Sequence, residues 1–134
     1  MTSECIFCRI VAGTAESWKI HETQHACAFL DIHPVAEYHA IVIPKQHCRD
    51  IFEATSADLL SVTSSVKCVV DLYREKLGMQ NVQILNSSGR EAQQDVLHLH
   101  FHVIPRQSSD GLDWVWPVRN GVPAQFDELL GRLK

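Results

Sequence analysis

Between Asp95 and Arg106 the chain reads Asp-Val-Leu-His-Leu-His-Phe-His-Val-Ile-Pro-Arg, three histidines alternating with apolar residues. Side chains of an extended strand project to opposite faces with a period of two. In a strand, His98, His100 and His102 therefore share one face, and Leu97, Leu99, Phe101 and Val103 fill the other. A helix would scatter the imidazoles around its circumference, and the β-branched and aromatic neighbours also favour a strand. An ordinary solvent face is mostly Lys, Glu, Ser and Thr. Three aligned imidazoles point instead to metal ligation, or to acid, base and nucleophile work near neutral pH.

The rest of the chain is read around that strand. Phe7–Val11 suits a short helix ended at Gly13, and Trp18–Glu22 with Ala26–Leu30 suits a hairpin turning at Thr23-Gln24-His25. His39–Pro44 is nearly continuously apolar, as a strand covered on both faces would be. From Thr55 to Gly78, Leu59, Val62, Val66, Val69, Val70, Tyr73 and Leu77 recur at steps of three and four, the stripe of one long helix. Thr55 with Asp58 resembles a capping box, and Gly78 suits the stop. Val82–Leu85 is a further strand, followed by a polar loop from Asn86 to Asp95. In the C-terminal stretch Phe126, Leu129, Leu130 and Leu133 share a helical face that suits packing on the same subunit or on a partner. Trp114 and Trp116 could cover the sheet or wall a base pocket by stacking; cover is the favoured reading. His21, His25 and His33 have no motif around them and are expected at the surface.

At 134 residues, 46% hydrophobic and 21% charged, the chain is expected to form one soluble globular domain. A formal charge of −4 argues against a broad basic surface for nucleic acid or anionic membrane, though local donors suffice for a small phosphate ligand. No apolar run approaches bilayer length, and Met1-Thr2-Ser3-Glu4 lacks the basic start of a signal peptide, so the expected location is the cytoplasm. Five cysteines, an odd number, do not suggest a disulfide framework. Cys27 and Cys68 are most simply small buried hydrophobes. The Cys5-Ile6-Phe7-Cys8 pair reads as a redox motif, half of a zinc site or coincidence. Redox work would want a thioredoxin-like βαβ context, whereas zinc needs two more ligands, for which His47 and His98 are candidates. Asp31, closing its strand, could accept hydrogen bonds from the hydroxyls of a ribose or simply cap a turn.

The segment His98–Ile104 resembles the His-φ-His-φ-His-φ-φ signature of the histidine triad (HIT) family of nucleotide hydrolases and transferases. The likeness runs from about Cys5 to Trp116. It takes in Ala28-Phe29-Leu30-Asp31-Ile32, His39 ahead of Ile41–His47, Asn86 with Gly89, and Gln94. It implies an α+β fold, an antiparallel sheet of about five strands with one long helix and short terminal helices. The whole chain, 1–134, would be a single such domain with a variable tail from 117. The resemblance further implies that Asp31 binds the ribose, with Phe29 and Ile32 flanking the base, and that His39 is a fourth histidine in the pocket. Asn86 and Gln94 match positions that bind phosphate or orient the histidines, and a structural zinc on Cys5, Cys8, His47 and His98 is implied as in many bacterial members. A homodimer with one extended sheet is implied too.

On this reading His100 is the nucleophile toward the α-phosphate of a purine nucleotide, through a covalent nucleotidyl-histidine. His102 would bind phosphate and assist the leaving group, with no metal needed for the chemistry. The expected activity is that of a nucleoside phosphoramidase. A dinucleoside polyphosphate hydrolase or nucleotidyl transferase, and a non-catalytic nucleotide- or zinc-binding protein, remain as alternatives. Two residues depart from the family pattern. Gln93 stands where Gly is usual, and Asp95 where many members have Ser or Thr. A carboxylate beside a phosphate is repulsive unless it is protonated, turned away or paired with a cation.

Overall fold

The run Ala40–Pro44 (β3) is buried at every position, and the other strands are laid down on either side of it. The computed structural model describes residues 4–112 and 116–134. In chain order the other elements are helix α1 (Ile6–Ala12), strands β1 (Lys19–Glu22) and β2 (Ala26–Leu30), helix α2 (Ser56–Leu77), strands β4 (Val82–Asn86) and β5 (Phe101–Pro105), and helix α3 (Pro123–Gly131). The sheet order is β1-β2-β3-β5-β4, with every neighbouring pair antiparallel. This is the α+β architecture expected, five strands with one long helix. None of the described helices is long and apolar enough to cross a membrane.

Each face of the sheet has its own core. Ala28, Ala40, Val42 and Val103 meet Val62, Val69 and Tyr73 of α2. On the opposite face Cys27, Phe29, Ile41 and Ile43 meet Phe7 and Ile10 of α1. Small residues in β2 and β3 let α2 approach the sheet closely, which interior packing density requires. The α2 start is a complete capping box: Thr55 Oγ1 accepts from the Asp58 N–H and Asp58 Oδ2 accepts from the Thr55 N–H, at 3.1 and 3.0 Å. Gly78, in the left-handed conformation, ends it. The stripe is centred differently from the sequence reading. Its buried line is Val62, Ser65, Val69 and Tyr73, while Leu77 is partly exposed.

α2 also reaches toward the functional face. Tyr38 has φ 65°, a left-handed conformation costly for a bulky residue. The Tyr73 hydroxyl donates to the Tyr38 carbonyl at 2.9 Å, and the two rings meet edge to face at 5.6 Å. The strained turn that delivers His39 into β3 is thus held from the helix.

Several expectations need correction. The histidine strand begins only at Phe101; His98 to His100 cross in irregular backbone, anchored by the Leu99 N–H donating to the Cys48 carbonyl at 2.8 Å. Leu97 lies 55% exposed, so it does not fill an apolar face. Cys68 is exposed on the outer side of α2, where only the inward stripe meets the sheet. His21, paired with Ala28 across the hairpin, is half-buried and its Nε2 has no hydrogen-bond partner among the described residues. The expectation for Trp114 falls outside the described residues. Trp116 is largely exposed, so it does not cover the sheet as favoured from sequence; it lines a cavity described below. No residue of α3 is buried, and Leu133 just beyond it is more exposed still.

Gln93 follows the 3-10 turn Arg90–Ala92 with φ 72° and ψ 29°. That conformation favours glycine, which accounts physically for the residue usual there. Gln93→Gly is expected to raise stability by about 0.5–1 kcal/mol, a gain in melting temperature of ~2–3 °C. A thermal melt in which the variant unfolds no later than the parent would refute this.

Candidate active site

β5 lies between β3 and β4, with His102 opposite Ile41 on one side and Leu85 on the other. His100 and His102 stack toward one another with ring centroids 5.0 Å apart. Phe7 of α1 presents its ring edge-on to both His98 and His100, at 5.8 and 5.2 Å. The histidine row therefore shares the α1 face of the sheet, as its alternation implied. Only His102 is partly open; His98 and His100 are buried.

Hydrogen bonds fix each ring's tautomer. His100 Nδ1 lies 2.7 Å from the His98 carbonyl, so Nδ1–H donates there and Nε2 keeps its lone pair. The Asn86 amide donates to the carbonyl of His100 at 2.9 Å, while Ser88 Oγ donates to the Asn86 oxygen. Asn86 thus orients the backbone at His100. His39 Nδ1 accepts from the Val35 N–H at 3.1 Å, which puts the ring proton on Nε2. That nitrogen lies 2.9 Å from His102 Nδ1 and 3.4 Å from Asp31 Oδ2. With Nδ1 accepting, neutral His102 carries its own proton on Nε2. Burial, reinforced by the neighbouring His100 and His39, lowers the His102 pKa to about 4. His39 is also shifted down, by burial opposed by Asp31. Both rings are neutral at physiological pH.

A cavity of about 500 Å³ opens against these groups, within the usual range for small-molecule sites. Phe29, Asp31, Ile32, His39, Asp95, His100 and His102 all border it. Asp31 Oδ1 accepts from the His33 N–H, capping the turn, while Oδ2 stays toward His39. A second cavity of about 540 Å³ lies beyond His102, lined by Asn86, Gln93 and Trp116 among others. Gln94 borders neither. Its buried amide donates to the carbonyls of Arg49 and Val96 and accepts from the Gly89 N–H, stapling the loop from inside. Glu16, Ser17 and Val35 complete the first cavity without any motif to announce them. Phe7 could have been inferred only from its place inside Cys5-x-x-Cys8.

Cys5, Cys8, His47 and His98 come together beneath the triad, with four potential ligand atoms within 4.8 Å of one another. His98 Nε2–H donates to the Pro44 carbonyl at 2.9 Å, leaving Nδ1 to face the sulfurs. The Cys5 Sγ–His98 Nδ1, Cys8 Sγ–His47 Nδ1 and His47 Nδ1–His98 Nδ1 separations are 3.4, 3.3 and 3.1 Å. A tetrahedral ion with Zn–S of about 2.3 Å and Zn–N of about 2.0–2.1 Å has edges of roughly 3.5 Å (S to N) and 3.3 Å (N to N). The donor set fits. Without a cation, burial and then the Cys5 sulfur push the Cys8 thiol up to about 11; a bound cation reverses that preference.

A HIT domain family model matches residues 12–109 of the chain. An adenosine 5'-monophosphoramidase of Schizosaccharomyces pombe is 40% identical over 114 residues, covering 84% of this chain and 83% of the relative. A crystal structure of a HIT family protein from Bacillus anthracis superimposes with a TM-score of 0.91 at 31% identity, covering 99% of this chain and 96% of that one. A zinc-bound histidine triad family protein from Mycobacterium smegmatis gives a TM-score of 0.80 at 31% identity, with 85% and 83% coverage.

Proposed function

The chain belongs to the histidine triad (HIT) domain family, and on that premise we propose that it is a nucleotide hydrolase cleaving nucleoside 5′-phosphoramidates at the α-phosphate. The observation that carries the reading is the pair of fixed tautomers. His100 offers a bare Nε2 to the cavity, and His102 offers an Nε2–H beside it.

In the first step the His100 Nε2 lone pair attacks phosphorus and the bond to the amine nitrogen breaks. The amine departs with a proton taken from solvent, assisted by the hydrogen bond from His102; the two protons of the water that attacks next replace that one and complete the ammonium. Charge on the non-bridging oxygens is met by the His102 N–H, held in place by His39. Water then forms a new P–O bond, the bond between phosphorus and His100 breaks, and its electron pair returns to Nε2. Overall, phosphoramidate and water give nucleoside monophosphate and a protonated amine. Asp31 takes the ribose hydroxyls through Oδ2, and the base, a purine on this proposal, lies between Phe29 and Ile32. Cys5, Cys8, His47 and His98 hold a structural zinc, whose role is to tie α1 to the sheet, and the chemistry does not pass through it. The free thiols suit the cytoplasm.

The test is turnover of adenosine 5′-phosphoramidate by the zinc-loaded protein. Release of AMP at a rate well above that of the free compound is expected; binding without release would point to a nucleotide-binding protein instead.

The protein also acts as a homodimer in this proposal. The outer edge of β4 is unpaired among the described residues, with Val82 and Ile84 partly exposed beside it. α3 presents Phe126, Leu129 and Leu130 to solvent. An open edge and an unburied apolar helix are both surfaces that folded chains ordinarily cover. Light scattering is expected to give twice the chain mass of 15.1 kDa, and a monomeric mass at micromolar concentration would exclude the dimer.

A further inference from the structure

Asp95 places a carboxylate beside the nitrogen that attacks phosphorus in the proposed reaction. Its Oδ1 lies 3.6 Å from His100 Nε2 and accepts from the Val96 N–H at 2.8 Å. That backbone bond sets the carboxylate's orientation even though the side chain is 79% exposed. Among the described residues no lysine or arginine pairs with it. The cavity it borders contains two further carboxylates, Glu16 and Asp31, and no Lys or Arg. The cavity beyond His102 has no Lys or Arg among its described lining residues either. A substrate phosphate brought to His100 therefore meets a fixed negative charge with no protein cation to offset it.

Resting on the phosphoramidase reading, we propose that Asp95 selects the leaving group by charge, favouring amines that carry a second, cationic ammonium and rejecting leaving groups that are themselves phosphates. In-line attack puts the leaving nitrogen across phosphorus from His100, and an ammonium on a flexible arm of the departing amine reaches back toward the carboxylate, supplying a countercharge there. A polyphosphate leaving group adds negative charge at the same place. Two unit charges ~4–6 Å apart beside a carboxylate this exposed are screened by water, and their attraction changes rates by about three- to sixfold. The substrate class is thus an adenylated diamine or an adenylated basic side chain, in preference to a dinucleoside polyphosphate.

Three adenosine compounds separate the outcomes: an aminopropyl phosphoramidate, its neutral butyl isostere and a diadenosine polyphosphate. Wild type is expected to show kcat/KM for the aminopropyl compound about three- to sixfold above the butyl compound, with the polyphosphate lowest. Asp95→Asn keeps size and should keep the melting temperature, since the side chain is exposed. It is expected to bring the aminopropyl and butyl values together and to raise polyphosphate turnover. A purely structural role would lower all three values in parallel and leave their ratios unchanged, which overturns the inference. Turnover of both phosphoramidates by wild type with no preference between them overturns it too, while leaving the proposed function standing. No turnover of any of the three removes the proposed function, and the inference with it.

Discussion

Replacing His100 by Asn is expected to lower turnover of adenosine 5′-phosphoramidate by about 10³-fold or more while leaving the fold intact. The substitution isolates one atom. The His100 side chain is buried, and its Nδ1–H is spent on the His98 carbonyl. An Asn amide at the same position can still donate to that carbonyl, so the backbone crossing from His98 to Phe101 keeps its anchor. The lone pair of Nε2 is what disappears. Wild type quenched during turnover should carry a nucleotidyl group on His100, visible by intact mass and mapped by digestion; the variant should carry none. His102→Gln makes the complementary case. It removes the N–H that faces the phosphate but leaves the nucleophile, so the adduct should still form, more slowly. If His100→Asn retained turnover within about tenfold of wild type, direct attack by water would be the better mechanism and the two-step scheme would fall.

Much of this was legible in the sequence, and for a physical reason. Period-two alternation placed His100 and His102 on one face, and continuous apolarity marked Ala40–Pro44 as doubly covered. Thr55, Asp58 and Gly78 marked both ends of α2 by local hydrogen-bond chemistry alone. Failures came where long-range contacts override local pattern. Alternation continues through Leu97 and His98, but the chain there is pulled out of register by the Leu99 bond to Cys48, so Leu97 reaches solvent. Ser65 and Tyr73 illustrate the same limit. Nothing nearby in sequence says that a serine centres the buried stripe, or that a tyrosine on the helix holds the backbone just before His39. For Gln94 the local pattern names no backbone partner, while its amide bonds the neighbouring Gly89 N–H and Val96 carbonyl and the distant Arg49 carbonyl. Gln93 departs from the family pattern, and its positive φ explains why glycine suits the position.

Stripping metal from the protein is expected to lower its melting temperature by about 10 °C, equivalent to roughly 3 kcal/mol for a chain of this size. α1 is seven residues long, too short to hold a helix by itself. Two attachments keep it on the sheet: the apolar contacts of Phe7 and Ile10, and the cluster of Cys5 and Cys8 with His47 and His98. Without an ion, that cluster reduces to weak sulfur–imidazole contacts, since the Cys8 thiol stays protonated well above neutral pH. The helix should then fray, taking with it the Phe7 ring that backs His98 and His100 and the Ile6 and Ile10 wall of the cavity. Metal analysis should give one zinc per chain. Cys8→Ser should reproduce the lower melting temperature without chelator and expose the N-terminal segment to protease. Because His102 sits on β5 and His100 on the segment leading into it, and neither on α1, the stripped protein should lose substrate affinity more than kcat. A melting temperature unchanged by chelation, in protein first shown to contain zinc, would mean that the apolar contacts alone hold α1 and that the ion is dispensable to the fold.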